Sequence, residues 1–208
     1  MVSLFVRLIR SLLGLWFALS ITLVIVYKFV PVKRTPLMLI RKAEARKEHR
    51  TLDIRQTWVP LENISTQLIQ AVINAEDAGF FEHKGFVPDA IHSAYLQNKY
   101  WEEIVAGGSS ISQQTAKNVF CTPHRTWLRK AVEAYYTVLI ELFWGKERIL
   151  EVYLNVIEMG DGLFGVEEGA RFECDKSVQY LDMNNAEHLA SIIPNPRFYG
   201  SSGYYRYR

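Results

Sequence analysis

The sequence has little sulfur and few histidines, and each shortage removes a class of chemistry. Only two cysteines occur in 208 residues, Cys121 and Cys174, far apart and outside any C-x-x-C pattern. Neither a zinc ribbon nor a dithiol redox centre is therefore expected. In an oxidising compartment the two could pair, but two free, buried thiols fit the spacing equally. The histidines at 49, 83, 92, 124 and 188 show no H-E-x-x-H spacing. No G-x-S-x-G elbow occurs, and no S-x-x-K that would mark a penicillin-acylated serine. Charge of one sign is also lacking in bulk: 24 Lys and Arg stand against 22 Asp and Glu. Composition thus gives no footprint for nucleic acid, and any basic site must be local. There are no repeats, no low-complexity tract and no pair of alternating strands.

What is present begins with an apolar run. Ser11 to Tyr27 carries no charge, and Lys28 can snorkel so that Phe29 and Val30 lengthen the run towards the roughly 20 residues a bilayer needs. A single transmembrane helix over residues 1–32 is expected; a cleaved signal peptide and a buried core helix are the other readings. Arg7 and Arg10 precede the run and Lys28, Lys33 and Arg34 follow it, so local charge does not orient the helix. Residues 33–59 are dense in Lys and Arg, consistent with a juxtamembrane segment near anionic head groups or with a solvated helix. From residue 60 to 208, apolar residues recur every three to four positions, and one mostly helical domain is expected. Asn63 is the expected cap of a first helix ending at Glu76 and Asp77, and Pro88 suits the first turn of a second. Ser109 follows Gly107 and Gly108 as the cap of a third, and Thr126 opens a long fourth that Gly145 stops. Lys146 to Asn155 forms a fifth, and Asn184 with Glu187 suits a capping box before a helix that Pro194 ends.

Three clusters on these helices could do chemistry. In EDAGFFEHKG, Glu76 and Asp77 sit at a helix end near Phe80, Phe81, His83 and Gly85. Partial desolvation by the two rings would raise the proton affinity of Glu76 and suit it to general-base work; a solvated acidic helix end explains the same residues. In GGSSISQQTAKN, Gln113, Gln114 and Lys117 share a helical face behind the donor-rich loop at Ser109, with Asn118 beside them. Such a face suits sugar hydroxyls or phosphate oxygens, or is simply a capped surface helix. In RTWLRKAVE, Arg129 and Lys130 stand one turn before Glu133, with Arg125 near the entrance. An intrahelical ion pair contributes only ~0.2–0.5 kcal/mol, and less in this order, which leaves a cationic cluster among bulky apolar residues unexplained. An anionic ligand explains it.

Taken together the clusters resemble the peptidoglycan glycosyltransferases of glycosyltransferase family 51, in their monofunctional biosynthetic form. Glu76, Asp77, Phe80, His83 and Gly85 match E-D-x-x-F-x-x-H-x-G, and Gly108, Ser109, Ile111, Gln113, Gln114, Lys117 and Asn118 match G-x-S-T-I-T-Q-Q-x-x-K-N. Arg129, Lys130 and Glu133 match R-K-x-x-E, KERILEVYLN matches a fourth block, and GLFGVEEGA with AEHLASIIPNP match the closing helices. The resemblance implies a lysozyme-like helical fold with a small membrane-associated lobe and a C-terminus short for the family. It also implies an inner-membrane protein with its amino terminus inside and its domain on the outer, periplasmic face. The implied substrates are lipid II and the growing lipid-linked glycan strand, joined through β-1,4 links with inversion. Glu76 would be the base and Glu133 the second essential carboxylate. Asp77, Phe80, His83, Gly85, Ser109, Gln113, Gln114 and Asn118 would line the substrate, and Lys117, Arg125, Arg129 and Lys130 would clamp the pyrophosphate. Glu133 would orient these cations or hold a divalent ion, Mg²⁺ or Mn²⁺. Division or cell-wall synthesis proteins are the expected protein partners, and no nucleic acid is. A lysozyme-like lytic glycosidase and an inactive membrane-anchored partner that binds lipid II or the division complex are the competing functions.

Overall fold

The computed structural model describes residues 2–101, 107–124 and 126–199. Helix α1 (Val2–Phe29) contains the apolar run; Leu4–Phe29 is the one described helix long and apolar enough to cross a membrane. Residues 4–15 of it are exposed, whereas Ser20 and Val24 are buried. A Pro-initiated helix α2 (Pro36–Lys47), capped by Thr35, follows. The basic segment 33–59 is built into the domain: Arg41 of α2 makes a two-pronged ion pair with Glu158, both bonds 2.8 Å. Strand β1 (Arg55–Gln56) adds parallel to β3 (Leu163–Phe164), which pairs antiparallel with β2 (Glu158–Gly160). Strands of two or three residues are too short for alternation to register in a sequence, so this small sheet was not foreseen.

The remaining helices are α3 (Thr66–Glu76), α4 (Pro88–Trp101), α5 (Ile111–Phe120), α6 (Trp127–Phe143), α7 (Lys146–Val156), α8 (Val166–Cys174), α9 (Met183–Ile192) and the single turn α10 (Pro196–Tyr199). Helix α3 lies along α9, and α5 is sandwiched between α6 and α7. Burial on nearly all sides explains the residues of α5: most of its polar groups are small or amides, and they find partners within the helix or on its neighbours. Thr115 donates to the Ile111 carbonyl at 2.8 Å and Ser112 to the Glu141 carboxylate. Helix α7 is similarly central, with Ile149, Leu150, Val152, Tyr153, Leu154 and Val156 no more than 1% exposed.

Three caps differ from the expected ones. Ser65, not Asn63, accepts from the Leu68 N–H and starts α3, because Asn63 is already used in a 3₁₀ turn, Leu61–Asn63. Ser110, not Ser109, caps α5 in a full capping box with Gln113. Asp182 caps α9 by accepting from Asn185, which places Asn184 inside the helix. In each case several capping residue types stand close together, and tertiary packing chooses among them. Cys121 and Cys174 are both free thiols. Helix α4 exposes Ile91, Tyr95, Leu96, Tyr100 and Trp101, and α6 exposes Leu128, Val138 and Leu142 along one stripe. These apolar faces suit a lobe that sits in a membrane interface.

Candidate active site

Glu76 ends α3, and its Oε2 accepts a 2.7 Å hydrogen bond from Gln114 Nε2 on α5. The same amide nitrogen reaches the Ser109 carbonyl at 3.3 Å, and the amide oxygen accepts from the Tyr153 hydroxyl at 3.3 Å. Tyr153 is fully buried, and burial, with Glu76 and Asp77 nearby, holds its hydroxyl protonated well above its usual range. A Tyr153–Gln114–Glu76 relay thus sets the amide's orientation and leaves the second Glu76 oxygen free of any hydrogen bond within the described residues. In the sequence Tyr153 stands inside the KERILEVYLN block, marked only by a hydroxyl among aliphatic residues. Tyr153→Phe should lower turnover about threefold to tenfold without shifting the apparent substrate affinity, as steady-state kinetics would show; an unchanged turnover number would sever Tyr153 from the relay.

Asp77 supports the loop instead of facing substrate alone. Its carboxylate receives His83 Nε2 at 2.9 Å and the Ile111 N–H at 2.9 Å, so it ties the end of α3 to the first turn of α5. His83 Nδ1 accepts from the Gly85 N–H at 2.9 Å, which fixes the proton on Nε2. Gly85 has φ +90°, and a Cβ there would lie 2.8 Å from Thr137 Cγ2. Its role is to permit that close turn. Phe80 is completely buried under the Lys146 ammonium, 4.6 Å above its ring, and Phe81 points outward. Neither ring lines the two clefts at Glu76. Gln113 is consumed by the α5 capping box, 2% exposed. Phe80, Gly85 and Gln113 therefore shape the site from behind.

The expected cations converge. Glu133, 2% exposed on α6, is gripped by Arg129 and Lys130, and Lys130 also donates to Ser109 Oγ at 3.2 Å. The Lys117 ammonium has no hydrogen bond or ion pair among the described residues. Desolvation lowers its proton affinity; Glu133 and Glu76 work against that, while Arg129 and Lys130 add to it. The neighbouring Cys121 thiol is pushed up to about 11 by burial, with Glu133 adding to it. Arg125 lies outside the described residues.

Two cavities meet at Glu76. The larger, about 950 Å³, has Lys117, Asn118, Arg129, Lys130 and Glu133 on one wall, with Arg41, Glu158 and Arg197 also lining it. Arg41 and Arg197 were not singled out from the sequence: the first lies in a basic run, the second beyond the last motif. The smaller, about 500 Å³, is lined by Asp77, Glu82, His83, Ser109 and Ser110 and carries no lysine or arginine among the described residues. Ala75, Glu76, Gly107 and Ser109 belong to both. The only buried side-chain polar atoms without a partner among the described residues are Arg129 Nε and Arg197 Nε, and both arginines line the larger cleft. Unmet cationic donors in a basic cleft call for an anionic ligand. A neutral, hydroxyl-bearing ligand suits the smaller one.

A family model described as transglycosylase matches residues 44–206. A biosynthetic peptidoglycan transglycosylase of Bdellovibrio bacteriovorus is 48% identical over 183 residues, covering 88% of this chain and 73% of its own. Proteins of the same name from Pseudomonas fluorescens and Bacteroides thetaiotaomicron are each 44% identical, over 97% and 94% of this chain and 84% and 79% of theirs. With its lysozyme-like helical domain, the chain belongs to the transglycosylase family, among the biosynthetic peptidoglycan transglycosylases.

Proposed function

We propose that the protein polymerises lipid II, transferring the lipid-pyrophosphate-linked disaccharide-pentapeptide to the GlcNAc 4-hydroxyl of an acceptor with inversion to a β-1,4 link. The observation that carries this is the position of Glu76 on the border between a cationic cleft and one that has no lysine or arginine among the described residues. The lipid pyrophosphate occupies the cationic side, against Lys117, Arg129, Lys130 and Arg197. The acceptor sugar enters the smaller cleft. Glu76, steadied by Gln114 on one oxygen, takes the hydroxyl proton with the other as the oxygen attacks the anomeric carbon and the pyrophosphate departs. The cations stabilise charge that grows on the leaving oxygen, which is where fixed electrostatics accelerate chemistry most. A lytic glycosidase also needs a carboxylate, but its leaving group is uncharged and leaves these cations without a purpose.

Glu133 keeps the cations in register. Both its oxygens are already taken by Arg129 and Lys130, and no group of three metal-ligating side chains occurs among the described residues. These side chains do not by themselves form a divalent-ion site, and no step here passes through one. The domain sits on the outer face of the inner membrane, where lipid-linked precursor and wall meet, and works as a monofunctional polymerase beside other wall-synthesis or division proteins.

Incubation of detergent-solubilised protein with labelled lipid II tests the proposal: glycan polymer is expected, whereas cleavage of preformed glycan, or no reaction by folded protein, would replace it with the lytic or the inactive reading. Labelled penicillin should form no covalent adduct with the purified protein, because no S-x-x-K serine is present to acylate. A stoichiometric adduct on gel analysis would refute that part.

A further inference from the structure

The end of α1 is gripped by α6 and α7, two of the helices that carry the site. Ser20 Oγ gives its own proton to the Phe17 carbonyl at 2.8 Å, so the 2.7 Å bond between Ser20 and Tyr135 on α6 has the tyrosine as donor. The Trp16 and Phe17 rings lie 5.0 and 5.5 Å from the Tyr135 ring. One helical turn further, Trp144 Nε1 donates to the Val24 carbonyl at 2.8 Å. Arg148, in the first turn of α7, then closes the helix end. Its Nε and Nη2 reach the Tyr27 carbonyl at 3.1 and 2.7 Å, Nη2 also reaches the Val30 carbonyl at 2.7 Å, and Nη1 holds Glu151 at 2.6 Å. The Trp58 ring packs 5.2 Å from the guanidinium.

The last carbonyls of any helix lack partners within it, and a cation at that end also complements the helix dipole. Here both needs are met by the catalytic domain itself. Residues 135 and 133 are two positions apart on α6, and residues 148 and 153 are five apart on α7, about 7–8 Å of helix rise. The grip on the anchor and the Glu133 and Tyr153 contacts of the site therefore share two short, rigid stretches.

We infer that α1 is a rigid member of the fold and not a tether, and that Arg148 is a positioning residue that sets the height and tilt of the cleft over the bilayer. A substrate held in lipid presents its pyrophosphate at a fixed depth, and a misplacement of about 1 Å can cost ~100-fold in rate. A planar five-donor group suits the role, since it binds two carbonyls and a carboxylate at once, which an ammonium on a flexible stem does not do with the same geometry.

The geometric part stands without the proposed activity; its consequence for rate rests on lipid II being the substrate. Two measurements separate them. Spin labels at Thr22→Cys and Ser191→Cys, in a chain with Cys121→Ala and Cys174→Ala, are placed in bilayer nanodiscs. A narrow distance distribution is expected with Arg148 and Trp144 intact. It should broaden markedly in the Arg148→Ala, Trp144→Phe double variant, and partly in Arg148→Lys. A broad distribution in the parent, or an unchanged narrow one in the double variant with native helicity, overturns the inference. Rates are then compared in vesicles carrying full-length lipid II and in detergent with a short-chain analogue. The double variant should lose about tenfold in vesicles and little in detergent; equal losses in both would mean a general defect and overturn the positioning role. If the parent polymerises nothing, the proposed function fails while the distance measurement still decides the anchor.

Discussion

Glu76→Gln protein is expected to fold and melt like the parent and to polymerise lipid II at least ~100-fold more slowly. The structure explains why the two properties should separate. Gln114 Nε2 donates to Glu76 Oε2, and a glutamine at 76 can turn its own amide oxygen to the same donor, so the Tyr153–Gln114 relay survives. What changes is the other atom, which becomes an NH₂ group that cannot accept the hydroxyl proton. Glu76→Asp keeps the charge but withdraws the carboxylate by one methylene, and should lose activity on a similar scale because proton abstraction needs hydrogen-bond reach. Initial rates with labelled lipid II, alongside thermal melts of both variants, make the comparison. Near-normal turnover by a well-folded Glu76→Gln protein would remove Glu76 from the base role.

The helices were legible because each carries its own start and stop signals at 3.6-residue spacing: Pro88 opens α4, Thr126 caps α6, and Gly145 separates α6 from α7. The exact caps of α3, α5 and α9 were not, since Asn63 and Ser65, Ser109 and Ser110, and Asp182 and Asn184 are chemically equivalent until packing chooses one. Within the site, Glu76, Lys117, Arg129, Lys130 and Glu133 were legible as side chains that helical spacing or motif position brings forward. Their supporting residues were harder to separate from them. Asp77, His83, Gly85 and Gln113 stand in the same motifs, yet the structure uses them to hold a turn and a helix start. A one-dimensional pattern cannot distinguish a residue that faces substrate from one that holds its neighbour. Contacts of long sequence separation were invisible for a stronger reason: Arg41 with Glu158, or Arg148 with Tyr27 and Val30, joins segments over 100 residues apart.

Lys117 should show the opposite relation between stability and activity. It is a lysine without a bonded partner among the described residues, on the wall of the larger cleft. Burial depresses its folded-state proton affinity, with nearby Arg129 and Lys130 acting in the same direction. A lysine whose folded pKa lies below its unfolded value binds its proton more tightly in the unfolded chain, so below the unfolded pKa the charge subtracts from stability. Lys117→Met, which keeps the stem and removes the charge, is therefore expected to stabilise the fold at neutral pH, read as a raised melting temperature. Activity should move the other way. If the ammonium contacts pyrophosphate oxygens, its bond strengthens as the leaving group gains charge, and its loss should remove ~2–4 kcal/mol of transition-state stabilisation. That is a fall of roughly 30-fold to 1000-fold in turnover, with a smaller change in apparent lipid II affinity. Lys117→Arg should restore only part of it, because a planar fork replaces a compact point charge. A Lys117→Met protein that melts higher and polymerises lipid II at the parental rate would show that the buried ammonium serves neither the fold nor the leaving group, and would overturn the pyrophosphate clamp.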